Sequence, residues 1–448
     1  MIILKKLMNK HTLSLASNAV MPVMGMVTVS LLARNLSEPD FGNWILFLIS
    51  FTIATLIRSG FLQTSMVKFL AGVSKERALN VAGSTWVLAF ALTAILAVIS
   101  LSASFIYHGD PATEITIRWF GIIFFGTLPS SVALWALQAE QRFDRIFFLQ
   151  LVGQGTFLTA IIILRFSHHT YFQSVIYAYF TCTCLTSLFS ILTGWAKIIS
   201  ITKNTWATIT EMFHFGKFSV ATSISSYLLR GSDTFIIKFM FADPSVVGIY
   251  YLPQRLMEVI EIPLRSFIAT ALPSMSASIQ NGDKREMTYI MKKYAGILTV
   301  LLIPVSIAAF MSADLVIHLI GGKKFLDTAA ANTFRIFMCF AILLPVDRFF
   351  GITLDILNKP QKNMTKVMLM LVVNVAGDFL GIYIFHNIYG VAIASIFTFI
   401  AGVFYGYWEL KKTLDFTLVD IIKIGFTETR LIVLSLLTRV KVKTAGTP

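Results

Sequence analysis

Four charged side chains stand in one apolar run, Arg255, Glu258, Glu261 and Arg265. At 100° per residue they fall within an arc of roughly 120° on a helix. Hydrocarbon cannot be the neighbour of that face, because charge at membrane depth is expensive, so the stripe points inward or toward water. Two chemistries fit it. The pairs Arg255–Glu258 and Glu261–Arg265 have helical contact spacing and could neutralise each other. The same guanidinium forks could instead hold phosphate oxygens, whose geometry they match. A self-paired ladder can still line a cavity, so both readings stay open.

Other charges interrupt apolar runs. Arg230 and Asp233 are three apart, with Lys238 further on; Asn374 and Asp378 are four apart. Asp347, Arg348 and Asp355 lie in one run, and for Arg348 with Asp355 the simpler reading is an inner helix end. Arg58, followed by Gln63, stands at the end of an apolar run, where snorkelling to the interface competes evenly with a cavity role. The first half holds almost no carboxylates away from its span ends. Fixed positive charge without paired negative charge favours an anionic ligand. A cavity for organic cations would need unpaired acids and aromatic faces instead. Asp233, Glu258, Glu261 and Asp378 are the groups able to take a proton or sodium ion, and Arg58, Arg230, Arg255 and Arg265 the ones able to take an anion.

No Walker A, GxSxG, HExxH or HxE…CxxC pattern occurs, so no catalytic residue is assigned and no cofactor is expected. Energy for movement must come from a gradient or from supply and removal of the cargo. The three cysteines, Cys182, Cys184 and Cys339, have no accompanying His or Cys cluster and are read as small membrane-facing or packing residues, with no metal.

The elements that must position these charges are membrane spans. Of 448 residues, 56% are hydrophobic and 13% charged, against roughly 25% charged in soluble domains. Mean hydropathy is +0.76. About 20 apolar residues cross a bilayer. Twelve runs qualify: 12–33, 41–58, 80–106, 117–138, 146–166, 171–194, 214–240, 246–276, 294–312, 330–352, 366–386 and 389–409. The stretch FLQTSMVKFLAG after the second is either that helix's continuation or a short interfacial helix. Pro253, Pro263 and Pro273 are expected to bend the eighth span.

With a cytoplasmic N-terminus, the inner segments hold about 20 lysines and arginines, Lys359, Lys362 and Lys366 among them, against about 6 outside. This bias puts both termini in the cytoplasm and accounts for most of the net charge of +14, with attraction to anionic lipid adding to it and no nucleic acid needed. The basic N-terminus reads as a retained helix rather than a cleaved signal.

The polar connection near residues 195–213 divides the spans six and six. Residues 1–204 and 205–412 are read as two six-helix lobes, and 413–448 as a cytoplasmic tail with an amphipathic helix. An internal echo supports the split: Glu38-Pro39-Asp40-Phe41-Gly42-Asn43-Trp44 against Asp243-Pro244-Ser245-Val246-Val247-Gly248-Ile249-Tyr250. Its physical reading is a tight turn, then a glycine that lets the next helix start close to a neighbour. Coincidence between two loops is the rival.

Several segments resemble a known family. LLARNLSEPDFGNW is similar to the first external loop of bacterial polysaccharide transporters, the Wzx-type O-antigen flippases. GSDTFIIKFMFADPSVVGIYYLPQRLMEVIEIPLRSFIATALPSMS resembles their seventh and eighth helices. DILNKPQKN and NVAGDFLGIYIFHNIYGVAIAS resemble the loop before the eleventh helix and the closing helix pair. The resemblance implies the all-α fold of the multidrug/oligosaccharidyl-lipid/polysaccharide exporter superfamily, two six-helix lobes around a V-shaped cavity. It implies a multi-pass protein of the bacterial inner membrane, not an enzyme, that moves undecaprenyl-pyrophosphate-linked oligosaccharide by alternating access. H⁺ or Na⁺ would couple the movement, beside other polysaccharide assembly proteins. By position it makes Arg58, Arg255 and the charges of the seventh and eighth helices candidates for a basic cavity. A cation-coupled small-molecule antiporter of the same superfamily is the alternative. A membrane-embedded glycan polymerase or ligase would need a large external loop, and no such loop is evident.

Overall fold

In this computed structural model every regular element among the described residues is a helix. The structure describes residues 10–70 and 73–444, without the side chains of 10–19, 215–226, 228–230, 269, 432–433 and 435–444. The basic segment before residue 10 lies outside the described residues, as does the side chain of Arg230.

The chain runs α1 (Lys10–Asn35), α2 (Glu38–Leu70), α3 (Lys75–Ile106), α4 (Pro111–Gly126), α5 (Leu128–Ala139), α6 (Phe143–Phe166), α7 (Phe172–Leu192) and α8 (Trp206–Met240). It continues with α9 (Ser245–Gln280), α10 (Lys284–Met311), α11 (Ala313–Gly321), α12 (Ala330–Ala341), α13 (Leu344–Ile356), α14 (Pro360–Phe385), α15 (Tyr389–Lys411) and α16 (Leu418–Thr444). Among the described residues, seven helices are long and apolar enough to cross a membrane, or nine if the bent pairs α4–α5 and α12–α13 each count as one span. This is a multi-pass membrane protein.

Two compact units form, Met1–Gly231 with Phe241–Gly248, and Ser232–Met240 with Ile249–Pro448. In the first, Trp44, Phe47, Phe51, Phe120, Phe124 and Tyr179 make a nest of edge-on and stacked rings. The polar connection is fastened to this unit. A 3₁₀ turn, Ile198–Lys203, lies on Gly83, and Trp86 Nε1 donates to the Ala196 carbonyl at 2.8 Å. Arg77 reaches Thr208 Oγ1 at 2.6 Å and pairs with Glu211.

The echoed turns pack on each other. A β-carbon on Gly42 would stand 1.8 Å from the Pro244 carbonyl oxygen, and one on Gly248 would stand 2.8 Å from Phe41 Cδ1. Only glycine permits backbone at that distance.

Two expected spans differ from their straight form. The run 117–138 is α4 and α5, bent by 44° at Thr127, and 330–352 is α12 and α13, bent by 47°. Pro129 and Pro345 stand at the start of α5 and α13, where a missing N–H is tolerated but the preceding helix cannot run on. Pro253, Pro263 and Pro273 stay inside one continuous helix, α9. The stretch after the second span is that helix's continuation, so α2 has 33 residues.

In the second unit, α14 and α15 form a tight hairpin, and α16 is docked on α10. A β-carbon on Gly425 would lie 2.2 Å from the Gly296 carbonyl carbon. Beside this crossing, Glu428 accepts from Lys293 at 2.6 Å and from Tyr289 at 2.5 Å, and Lys293 pulls its carboxyl below the usual Glu range. Ile421 is buried against α10, whereas Val419, Ile422 and Phe426 face outward.

Candidate functional site

The ladder on α9 forms as pairs. Arg255 Nη1 donates to Glu258 Oε2, three residues on. Arg265 Nη2 reaches Glu261 Oε2 at 3.2 Å. Arg348 of α13 brings a second guanidinium to the same carboxylate, 3.7 Å from Glu261 Oε1. Among the described residues, three guanidinium groups stand against two carboxylates in these pairs, leaving positive charge in surplus. Arg265 is 61% exposed at its side chain, so its fork remains open to a further acceptor. Arg348 does not pair with Asp355, whose Oδ2 accepts from Asn363 Nδ2 at 2.9 Å.

A second cluster joins α8, α9 and α14. Tyr250 Oη donates to Asp233 Oδ2 at 2.6 Å, and Ser232 Oγ to Asn374 Oδ1 at 2.9 Å. Asp378 lies against Asp233, with 0% of its surface exposed. Among the described residues, neither oxygen of Asp378 has a hydrogen-bond donor, and Asp233 Oδ1 has none. Buried polar atoms are nearly always satisfied. Two carboxylates that face each other without a donor can coexist only if a proton or cation lies between them. The sequence offers Asp233 and Asp378 as candidates, with Asn374 noted beside Asp378, but not Tyr250, which α9 brings to Asp233.

Arg58 belongs to the first unit. Because α2 continues to Leu70, the residue sits well inside the helix rather than at its inner end. It is 0% exposed. Nη1 donates to Thr93 Oγ1 at 3.0 Å and the Phe124 carbonyl at 3.2 Å; Nη2 donates to Thr127 Oγ1 and Ser131 Oγ, both at 2.8 Å. The Phe124 ring covers the guanidinium at 4.1 Å. With its donors turned onto these groups, Arg58 offers no open face to a phosphate here.

Lys366, counted in the sequence among inner-loop cations, is 2% exposed. Its Nζ donates to Asp347 Oδ1 at 2.6 Å and to the Asp347 carbonyl at 2.8 Å. The helix α14 starts at Pro360, which draws Lys366 inside the unit.

This fold is shared with membrane transporters. The chain superposes on an inward-facing multidrug resistance MATE family transporter of the MOP superfamily with TM-score 0.72 and 15% identity, over 91% of this chain and 100% of that one. It superposes on lipid II flippase MurJ in an inward closed conformation with TM-score 0.69 and 14% identity, over 95% and 92%. A curated relative is the probable low-salt glycan biosynthesis flippase Agl15 of Haloferax volcanii, 24% identical over 207 residues, 46% of this chain and 43% of that one. The chain thus matches less than half of that relative's length. Residues 31–330 match the family described as polysaccharide biosynthesis protein, and the chain belongs to that family.

Proposed function

We propose that the protein carries an undecaprenyl-pyrophosphate-linked oligosaccharide across the bacterial inner membrane by alternating access, with both termini in the cytoplasm. The pyrophosphate is held by Arg255 and Arg265, with Arg348 beside them. The observation that carries this reading is the surplus of guanidinium over carboxylate along α9 and α13. A planar fork matches phosphate oxygens, and a net positive lining selects an anion. Family membership and the glycan flippase relative support a lipid-linked sugar as the cargo.

The coupling ion, H⁺ or Na⁺, is assigned to Asp233 and Asp378. Glu258 and Glu261 hold arginines instead, which leaves them little affinity for a second cation. The multidrug antiporter reading keeps one observation in its favour, the MATE likeness. It predicts drug resistance on overexpression with unchanged glycan.

Arg255 gives the test. Arg255→Ala, made at normal levels, is expected to lower surface glycan display by about 10- to 100-fold, the value of a charged hydrogen bond of roughly 1.5–3 kcal/mol. Arg255→Lys keeps the charge but not the fork, and should fall between. Normal display by the alanine variant would remove Arg255 from the site.

A further inference from the structure

The bent pairs in the two units share one sequence device. Leu128-Pro129 opens α5 and Leu344-Pro345 opens α13. In each, the side chain two residues after the proline holds a buried cation from another helix. Ser131 Oγ accepts from Arg58 Nη2 at 2.8 Å, and Asp347 Oδ1 accepts from Lys366 Nζ at 2.6 Å.

The two breaks differ in charge. Lys366 meets a carboxylate, so that break is neutral inside. Arg58 has no carboxylate partner among the described residues; its acceptors are Thr93, Thr127, Ser131 and the Phe124 carbonyl, all neutral. Its Nε has no acceptor. Three of the four acceptors straddle the break, with Phe124 before it, Thr127 at it and Ser131 after it. The compensation comes from dipoles, namely hydroxyls and the carbonyl end of α4, which carries partial negative charge. Bonds to neutral acceptors are weaker than a buried ion pair, so they are easier to exchange.

We propose that the α4–α5 break is a working joint of the transport cycle with Arg58 as its latch, and that the neutralised α12–α13 break is a fixed bend. Straightening the joint carries Thr127 and Ser131 away from the guanidinium. Arg58 is a positioning residue. The joint's part in a transport cycle rests on the proposed function; the joint itself does not.

The test gives the first joint the counter-charge of the second. In a background with Cys182, Cys184 and Cys339 replaced by serine, spin labels at Arg118→Cys and Gln141→Cys report the distance across the break in full-length protein in nanodiscs. The parent is expected to show two distances. Ser131→Asp should collapse them onto the bent one, raise the melting temperature and slow flipping of a fluorescent polyprenyl-pyrophosphoryl disaccharide roughly tenfold, a shift of about 1.4 kcal/mol. Thr127→Val, which removes one latch bond, should enlarge the longer population. One unchanged distance in the parent and both variants would overturn the joint, as would parental flipping by Ser131→Asp locked in the bent state. If Ser131→Asp folds poorly, Thr127→Val decides alone. A parent that flips no probe refutes the cargo reading, while the distances still decide the joint.

Discussion

Replacing Asp378 by asparagine removes ion-driven transport and leaves the fold intact. Among the described residues, the buried pair Asp233–Asp378 has three oxygens without a donor, Asp378 Oδ1 and Oδ2 and Asp233 Oδ1. Under the proposed function a bound proton or cation supplies what the side chains do not. An asparagine amide supplies a donor to Asp233 permanently, so the pair no longer needs an ion. The variant should therefore melt at or above the parent's temperature. Its flipping should lose dependence on the Na⁺ or H⁺ gradient, with a fall of about 10- to 100-fold under a driving gradient, the value of one charged contact. The check is flipping in proteoliposomes with each gradient imposed in turn. An asparagine variant with undiminished gradient dependence would assign coupling elsewhere.

The second large effect is on stability. Lys366→Ala strands Asp347, which is buried at 4% exposure. Breaking one side of a buried pair costs about 3–5 kcal/mol, because an uncompensated charge remains. Asp347→Ala strands the lysine with a similar loss. The double variant, Lys366→Ala with Asp347→Ala, should recover most of it, since no unpaired charge is left. Melting of the four proteins in detergent gives the coupling energy directly. Additive losses, with no recovery in the double variant, would mean that the pair contributes nothing as a pair.

What the sequence disclosed and what it hid follow from the range of the contacts. The pairs Arg255–Glu258 and Glu261–Arg265 were legible because helical spacing alone sets them. The arrival of Arg348 at Glu261 was not, because no local pattern records which helix lies opposite. Asp233 and Asp378 stood out as acids in apolar runs; their meeting is a contact between α8 and α14. Arg58 and Lys366 were read at span ends because apolar content stops near them. The helices themselves start or finish elsewhere, at Leu70 and Pro360, and so both cations lie inside their units. The breaks carried a visible Leu-Pro, yet three prolines in α9 leave that helix continuous. Within a membrane, a break persists where something satisfies the freed backbone groups. Arg58 reaches the Phe124 carbonyl at the end of α4, and Lys366 reaches Asp347 in the first turn of α13; neither partner is local.

Movement of a lipid-linked sugar is the central claim, and reconstitution addresses it most directly. Vesicles of phosphatidylethanolamine and phosphatidylglycerol would carry the purified protein and an undecaprenyl-pyrophosphoryl oligosaccharide with a fluorophore on the sugar. A membrane-impermeant quencher then reads the fraction in the outer leaflet. The account predicts that the inner-leaflet pool becomes accessible only in vesicles with protein, faster under an ion gradient, and that a cationic dye is not moved. A protein pool that moves the dye and leaves the glycan lipid in its original leaflet would contradict it.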